Sequence, residues 1–151
     1  MVGTARAENG SAGWLRYSRI TEPATIQQYR LLPRRIVQVG VSPLERNASA
    51  ELQRGLRSML GGEFESGSTL PDADAFVVGT PDELRRLLPQ WEQPAKLAPE
   101  GFALSRLDNH GHHLWIIAGG GEAGALYAVF HLLEQVAAQR TDAHFPAARA
   151  L

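Results

Sequence analysis

The sequence predicts an α/β (α+β) sandwich, in which helices pack on a mixed β-sheet. Two short apolar runs, at 36–41 and 75–78, are each followed by a helix start, and a later hairpin leads into a long helix. A strand–helix–strand crossover implies parallel strands, whereas a hairpin adds antiparallel strands. The length of 151 residues suits one domain.

The start of the chain is small and polar, and residues 1–13 are expected to be disordered or frayed. Ala5-Arg6-Ala7 has the small-x-small shape of a signal cleavage site, although the basic and apolar segments that precede such a site are missing. This pattern favours a periplasmic or extracellular location over the cytoplasm. Trp14 to Tyr17 then predicts a short strand.

The first strand–helix unit has the clearest pattern in the chain. The β-branched run Ile36–Val41 predicts an interior strand. Ser42 can accept hydrogen bonds from free N–H groups, Pro43 fits the first turn, and Glu45 can reach back, so a helix begins here. Gly61-Gly62 end this helix. Its apolar residues recur at helical spacing: Leu44, Ala48, Leu52, Leu56, Met59 and Leu60.

A second unit repeats this chemistry. Ala75–Val78 predicts a buried strand, and Thr80 and Glu83 predict the start of a short helix that Pro89 ends. Residues 67–74 and 89–100 are expected to be loops.

The last third of the sequence predicts a hairpin and a helix. Strands at 102–107 and 113–118 flank the turn 108–111, and a helix is expected from Glu122 to Gln139. The residues expected on its buried stripe are Leu126, Phe130, Leu133 and Ala137, with Tyr127 beside them. Residues 140–151 contain no apolar strand and are expected to form a linker.

Composition excludes several classes of function. The net charge of −1 argues against a nucleic-acid module, and no apolar run approaches the roughly 20 residues of a membrane span. The absence of Cys excludes disulfides, thiolate metal sites and Cys nucleophiles. Residues 1–60 contain nine Arg and four acidic residues, whereas residues 61–101 contain three basic and eight acidic residues. We interpret the Arg as a solvated face or as partners for the acidic middle.

One glycine-rich motif raises the possibility of nucleotide binding. Residues 119–124 match G-x-G-x-x-G between a strand and a helix, where backbone N–H groups bind phosphates. However, a dinucleotide fold needs a further strand that ends in an acid, and Glu122 would repel a phosphate. A flexible strand-to-helix turn is the better interpretation.

No catalytic or metal-binding pattern is evident. His110, His112 and His113 cluster at the hairpin, but no carboxylate is fixed beside them by sequence, and we expect exposed turn histidines. His131 and Glu134 do not complete a His-Glu-x-x-His motif, so His131 is expected to be a partly buried helix residue with a satisfied hydrogen bond.

The remaining acidic and aromatic candidates also have structural interpretations. Asp72 with Asp74, or Asp82 with Glu83, could pair as acid and base, but a chain this small shows no cleft for a sugar. Asp82 and Glu83 fit a helix start better. The aromatic residues that could form a sugar platform are more often core residues: Trp14, Tyr17, Trp91 and Trp115.

Several stretches resemble the α-glucuronidases of glycoside hydrolase family 67. Gly13–Tyr17 resembles the family's Trp-Leu-Arg-Tyr opening. Ile117-Ala118 and Gly124–Leu133 resemble the strand and helix that end its N-terminal domain. Ala50–Leu56 and Val78–Pro81 fall between them in family-like order. The resemblance covers about residues 13–135.

The resemblance implies an α/β sandwich similar to the N-terminal (zincin-like, metal-free) domain of β-hexosaminidases, over residues 14–139. Residues 140–151 would then lead toward a TIM barrel that lies outside this chain. That barrel would remove (4-O-methyl)glucuronic acid from xylo-oligosaccharides with its own carboxylates, so this chain is expected to hold no catalytic, metal or cofactor residues.

The role implied by the resemblance is to pack on the barrel and stabilise it, with xylo-oligosaccharide at the rim of the cleft. The sheet face that helices leave uncovered should then be unusually apolar, because the barrel hides it. Homodimerisation through that face stays open. The alternatives are a stand-alone carbohydrate-binding module and, less favoured, a nucleotide-binding domain.

Overall fold

The computed structural model describes residues 17–93 and 96–138, together with the backbone of 148–150. The segment predicted to be frayed, 1–13, lies outside the described residues, and so does most of the strand predicted at Trp14–Tyr17. Tyr17 itself is buried but belongs to no strand. Most of the segment 140–151 also lies outside.

The described elements alternate between strands and helices along most of the chain. In order they are α1 (Pro23–Tyr29), β1 (Arg35–Gln38), α2 (Pro43–Leu60), β2 (Glu65–Gly67), β3 (Ala75–Gly79), α3 (Pro81–Leu87), β4 (Phe102–Asn109), β5 (His112–Gly119), α4 (Glu122–Ala137) and β6 (Ala148–Ala150). None of these helices combines the length and apolar character that crossing a bilayer requires.

The strands form one mixed sheet in the order β2-β1-β3-β5-β4-β6. β2, β1, β3 and β5 are parallel neighbours, and β4 pairs antiparallel with both β5 and β6. The predicted mixed sheet and α/β class are therefore confirmed. The comparison with the β-hexosaminidase domain stays a prediction.

The first face of the sheet packs against α2 and α4. Phe76 and Val78 of the central strand β3 lie on this face and are buried. α1 adds Tyr29, whose hydroxyl donates to the Val136 carbonyl of α4 at 3.1 Å. The other large residues of this core include Ile36, Leu52, Leu56, Met59, Phe64, Trp115, Ile117, Leu132 and Leu133.

The second face of the sheet is also apolar, as the sequence predicted, but it is not open. Ala75 and Val77 of β3 are fully buried there. Leu84 of α3, with Leu88 and Trp91 from the loop after it, covers this face. The expectation of an uncovered face awaiting a partner is therefore wrong, because the proline-rich loop and short helix supply the missing layer themselves.

The helix start predicted at Ser42 is present in detail. The Ser42 hydroxyl accepts from the Glu45 N–H, and the Glu45 carboxylate accepts from the Ser42 N–H, each at 3.2 Å. The helix ends where Gly61 takes a φ of +71°, a backbone conformation that favours glycine. β1 is shorter than predicted and stops at Gln38, although the Val39 N–H still donates to the Val78 carbonyl.

The buried stripe of α4 is rotated from the predicted one. Of the four residues expected in it, Leu133 is buried, Leu126 and Phe130 are partly buried, and Ala137 is exposed. The small residues Gly124, Ala125 and Ala128 let the helix approach the sheet closely, and the larger buried residues around them pack against the sheet. The buried residues are Gly124, Ala125, Ala128, Val129, Leu132, Leu133 and Val136.

Three elements had no clear sequence signal. α1 starts at Pro23 without a side-chain cap, and β2 has three exposed residues, so neither shows an apolar period. β6 is a strand of three residues within the segment 140–151 that was predicted to be a linker. It pairs with β4, with Ala103 opposite Ala150. Pairing with an existing edge explains why it needs no apolar run of its own.

Truncation of Leu52 tests the packing of the first face. Leu52 is fully buried between α2 and the sheet, so Leu52→Ala should lower the free energy of unfolding by about 2–5 kcal/mol. Leu31 is 78% exposed, and Leu31→Ala should change it by less than about 0.5 kcal/mol. Urea unfolding followed by tryptophan fluorescence measures both. Equal losses in the two variants would contradict this packing.

Candidate functional site

The carboxyl ends of β1 and β3 form the natural place to look for a site. From here the connection through α2 leads to β2 on one side of β1, while the connection through α3 leads towards β5 on the other side of β3. Open α/β sheets usually bind ligands at such a topological switch point. A shallow groove lies at this edge, lined by Val39, Gly40, Val41, Glu83, Arg86 and Leu87.

Glu45 is the buried acid at this edge. It is 2% exposed, and its Oε1 atom lacks a hydrogen-bond partner among the described residues. A Cβ atom at Gly40 would overlap the Glu45 carboxylate, so glycine makes room for this side chain. Burial and the neighbouring Glu83 carboxylate raise the pKa of Glu45, while hydrogen bonds from Ser42 act in the opposite direction.

Glu83 holds the matching position at the start of α3. Its Oε2 atom accepts from the Thr80 N–H at 2.9 Å, and Asp82 pairs with Arg85 at 2.7 Å. The interpretation of Asp82 and Glu83 as helix-start acids is therefore confirmed. The sequence indicated both capping boxes, because Ser-Pro-x-Glu and Thr-Pro-x-Glu each follow a buried strand. It did not indicate that the two glutamates lie close to each other.

The space beside the glycine-rich turn is occupied by backbone atoms from another part of the chain. A Cβ at Gly120 would overlap the Ala98 carbonyl oxygen, and one at Gly124 would overlap the Gly101 carbonyl oxygen. The Gly120 N–H already donates to Gly101 at 2.8 Å. Carbonyl oxygens repel a phosphate, so this turn is unsuited to nucleotide binding. It is a strand-to-helix turn, as interpreted, but a closely packed one.

Two of the three hairpin histidines each lie beside a carboxylate, which corrects the expectation that none is fixed there. His112 Nε2 lies 2.8 Å from Asp72 Oδ1, and His113 Nδ1 lies 2.6 Å from Asp108 Oδ1. Asp74 accepts from the His113 N–H at 2.8 Å, so Asp72 and Asp74 do not form an acid–base pair with each other. These are exposed pairs, which contribute about 0–1 kcal/mol each.

His110 occupies the turn with a φ of +50° and belongs to neither pair. Within 17–93 and 96–138, no three His, Cys, Asp or Glu side chains converge to hold a metal ion.

His131 is partly buried, lies 2.9 Å from the Gln135 amide nitrogen and contacts the Phe102 ring, as the sequence predicted. Glu134 is exposed on the same helix.

The three described members of the aromatic set are core residues. Tyr17, Trp91 and Trp115 are 7%, 4% and 6% exposed. The Trp91 indole N–H donates to the Ser105 hydroxyl at 3.3 Å, and the Arg106 guanidinium stacks on the Trp115 ring at 4.3 Å. None of the three presents a free ring face for a sugar. Trp14 lies outside the described residues.

Comparisons with known proteins agree on one family. Residues 13–132 match the model described as the glycosyl hydrolase family 67 N-terminus. A probable alpha-glucuronidase A of Neosartorya fischeri is 35% identical over 90% of this chain. An alpha-glucuronidase of Hypocrea jecorina is 32% identical over 84%. The chain spans only 16% and 15% of these two relatives.

One solved structure shares the fold. It is a family GH115 4-O-methyl-alpha-glucuronidase with specificity for decorated arabinogalactans. The TM-score is 0.51 and the identity 18%, over 69% of this chain and 13% of that one. The likeness therefore concerns the fold alone.

Substitution of Gly120 tests whether the glycine-rich turn is packed or open. Gly120→Ala should lower the free energy of unfolding by at least about 2 kcal/mol, because the new methyl group overlaps the Ala98 carbonyl. A methyl group at Gly67 would meet no other atom within 4 Å, so Gly67→Ala should stay within about 0.5 kcal/mol of the parent protein. Thermal unfolding measures both. An unaffected Gly120→Ala variant would show an open turn.

Proposed function

The chain belongs to the glycosyl hydrolase family 67 N-terminal domain family, and from this membership we propose that it is a non-catalytic accessory domain. It would pack on and stabilise a TIM-barrel catalytic domain of an α-glucuronidase-like enzyme. That enzyme would remove (4-O-methyl)glucuronic acid from xylo-oligosaccharides. In this assignment residues 14–139 are the main part of the domain, and the segment 140–151 contributes β6 to its sheet before the chain leads toward the barrel.

One observation carries the proposal. The relatives that match along 84–90% of this chain are named alpha-glucuronidases, yet the chain corresponds to only 15–16% of their length. The match with the family model lies in the N-terminal domain. An activity that needs a barrel would then belong to the remaining part of such a protein.

The side-chain geometry supports a structural role. His112 and His113 of the hairpin are paired with aspartates, and the two glutamates at the switch point cap helices. Glycoside hydrolysis needs two carboxyl groups on either side of a sugar in a cleft. The four acids that the sequence offered as candidates serve the hairpin and a helix start instead: Asp72, Asp74, Asp82 and Glu83.

The carbohydrate-binding module is the alternative from a different class. It needs exposed aromatic faces, and those of Tyr17, Trp91 and Trp115 are buried. Quenching of tryptophan fluorescence by xylo-oligosaccharides would favour this alternative.

The carboxyl edge of the sheet is the side on which we place the barrel. β6 runs antiparallel to β4 and therefore in the same direction as β1, β3 and β5. Its last residue, Ala150, pairs with Ala103, which lies opposite Ala118 near the end of β5. A chain that follows β6 would leave the sheet at this edge. Val41, which is 78% exposed, lies at the same edge after β1.

Deletion of the domain from the longest natural reading frame that contains it tests the proposal. The intact product should release 4-O-methylglucuronic acid from glucuronoxylo-oligosaccharides. The product without residues 1–139 should be less soluble and unfold at a lower temperature, while its correctly folded fraction keeps most of its kcat. A reading frame without a barrel, or an unaltered thermal stability after deletion, would contradict the proposal.

A matched pair of surface substitutions tests the docking edge in that full-length product. Val41 and Leu31 are equally exposed, at 78%, but Leu31 lies at the opposite edge beside Asp74 and His113. Val41→Asp should lower the temperature of unfolding, because it places a charge in the interface. Leu31→Asp should leave it nearly unchanged. Differential scanning calorimetry measures both unfolding temperatures. A larger loss in Leu31→Asp than in Val41→Asp would indicate that the barrel packs on the opposite edge.

A further inference from the structure

We propose that Glu45 and Glu83 share one proton, which Glu45 holds and donates to the Glu83 carboxylate, so that α2 and α3 are tied together across the switch point. This carboxyl pair would make the stability of the domain fall as the pH rises above the ordinary pKa of a glutamate. It is independent of the barrel and of any sugar.

The backbone brings the two acids together. β1 and β3 are parallel neighbours with Gln38 opposite Val78, so the residues that follow them remain adjacent across the sheet. Each strand leads into a helix whose third residue is a glutamate that caps it. A Cβ atom at Gly79 would lie 3.3 Å from Glu83 Oε2, and one at Gly40 would overlap the Glu45 carboxylate. The Glu45 carboxyl group therefore lies against Gly40, and the Glu83 carboxyl group lies close to Gly79 on the neighbouring strand.

The burial of Glu45 requires a partner for its free oxygen. Its Oε2 atom accepts from the Ser42 N–H, whereas Oε1 is inaccessible and receives no hydrogen bond from the described residues. A buried carboxylate without compensation is costly, and two adjacent carboxylates cannot both ionise cheaply. A proton on Oε1 removes both costs, because it neutralises Glu45 and supplies a hydrogen bond to Glu83. The raised pKa of Glu45 agrees with this arrangement.

The other charged groups around the pair are arginines with partners of their own. Arg86 of α3 lines the same groove as Glu83, and its Nε–H donates to the Asp82 carbonyl. Arg46 of α2 donates to the Val41 carbonyl at 2.8 Å. β1 is followed by the neutral Val39 and Gly40 in this groove. These two arginines are hydrogen-bonded to backbone carbonyls.

The sign of the pH dependence follows from the direction of the shift. In the unfolded chain Glu45 titrates near the ordinary value of 4.5, and in the folded chain its pKa is higher. Between these two values the folded state binds one more proton than the unfolded state. The stabilising contribution is therefore complete below the unfolded value and is lost as the pH rises towards the folded one. The folding equilibrium constant should fall by up to tenfold per pH unit in this window.

Carbon-13 NMR of the glutamate side chains tests the proposal on the unmodified protein. The Glu45 carboxyl resonance should keep the shift of a protonated acid above the ordinary glutamate pKa of 4.5. A Glu45 resonance that titrates at that ordinary value would overturn the proposal.

Urea unfolding from about pH 5 to about pH 8 gives the second test. Glu45→Gln replaces the proton by an amide donor, so this variant should lack the part of the pH dependence that Glu45 contributes. Glu63→Gln, which removes an exposed carboxylate, should keep it. Both variants keep every other titratable group at this edge, so the difference between them isolates Glu45.

Two further outcomes would overturn the proposal. One is an identical pH dependence in the parent protein and in Glu45→Gln. The other is a rise in stability of the parent protein, but not of Glu45→Gln, when Ca²⁺ or Na⁺ is added at about pH 8, since the pair would then hold a metal ion. If Glu45→Gln fails to fold, Glu83→Gln keeps an acceptor oxygen but removes the neighbouring negative charge, so it should reduce the same pH dependence.

Discussion

The burial of both faces of β3 is the constraint on which the rest of the domain depends. Every residue of this strand is buried, and its side chains alternate between two separate apolar cores. A strand of this kind needs a cover on each side. α2 and α4 form one cover, and α3 with the loop up to Leu97 forms the other. The domain is therefore closed on both sides, and contacts with a partner would involve an edge of the sheet or the outer helix surfaces.

The same constraint shapes the carboxyl edge. Because β1 and β3 lie side by side and each must turn back over the sheet, two helices begin close to each other. Each start uses a glutamate to satisfy backbone N–H groups. The consequence of two efficient caps is a pair of adjacent carboxyl groups, one of them buried. A shared proton removes the repulsion between these two carboxyl groups without a ligand.

The sequence predicted those parts of the fold that local chemistry determines. The capping boxes at Ser42 and Thr80, the run Ala75–Val78 and the hairpin each have a local signal, and the structure has them nearly where the sequence places them. α1, β2 and β6 form because of their neighbours, and their own residues show no period. The meeting of Glu45 with Glu83 depends on the order of the strands, which the sequence leaves open until a crossover direction is known.

The side-chain partners of the hairpin were missed for a similar reason. Asp72 is forty residues from His112, and only the parallel pairing of β3 with β5 brings the two together. The rotation of the α4 stripe was missed because the helix is apolar around most of its circumference. Its small residues Ala125 and Ala128 give no strong period, although they allow the closest approach to the sheet.

The most direct test of a non-catalytic role is whether the purified 151-residue chain acts on an α-glucuronidase substrate. The chain is incubated with glucuronoxylo-oligosaccharides, and released 4-O-methylglucuronic acid is measured by chromatography against a buffer blank. We expect no release above the blank, because the candidate acids serve the hairpin and a helix start and the catalytic groups would lie in the barrel. Release that persists through repeated purification, and that follows the folded chain on a sizing column, would contradict this role.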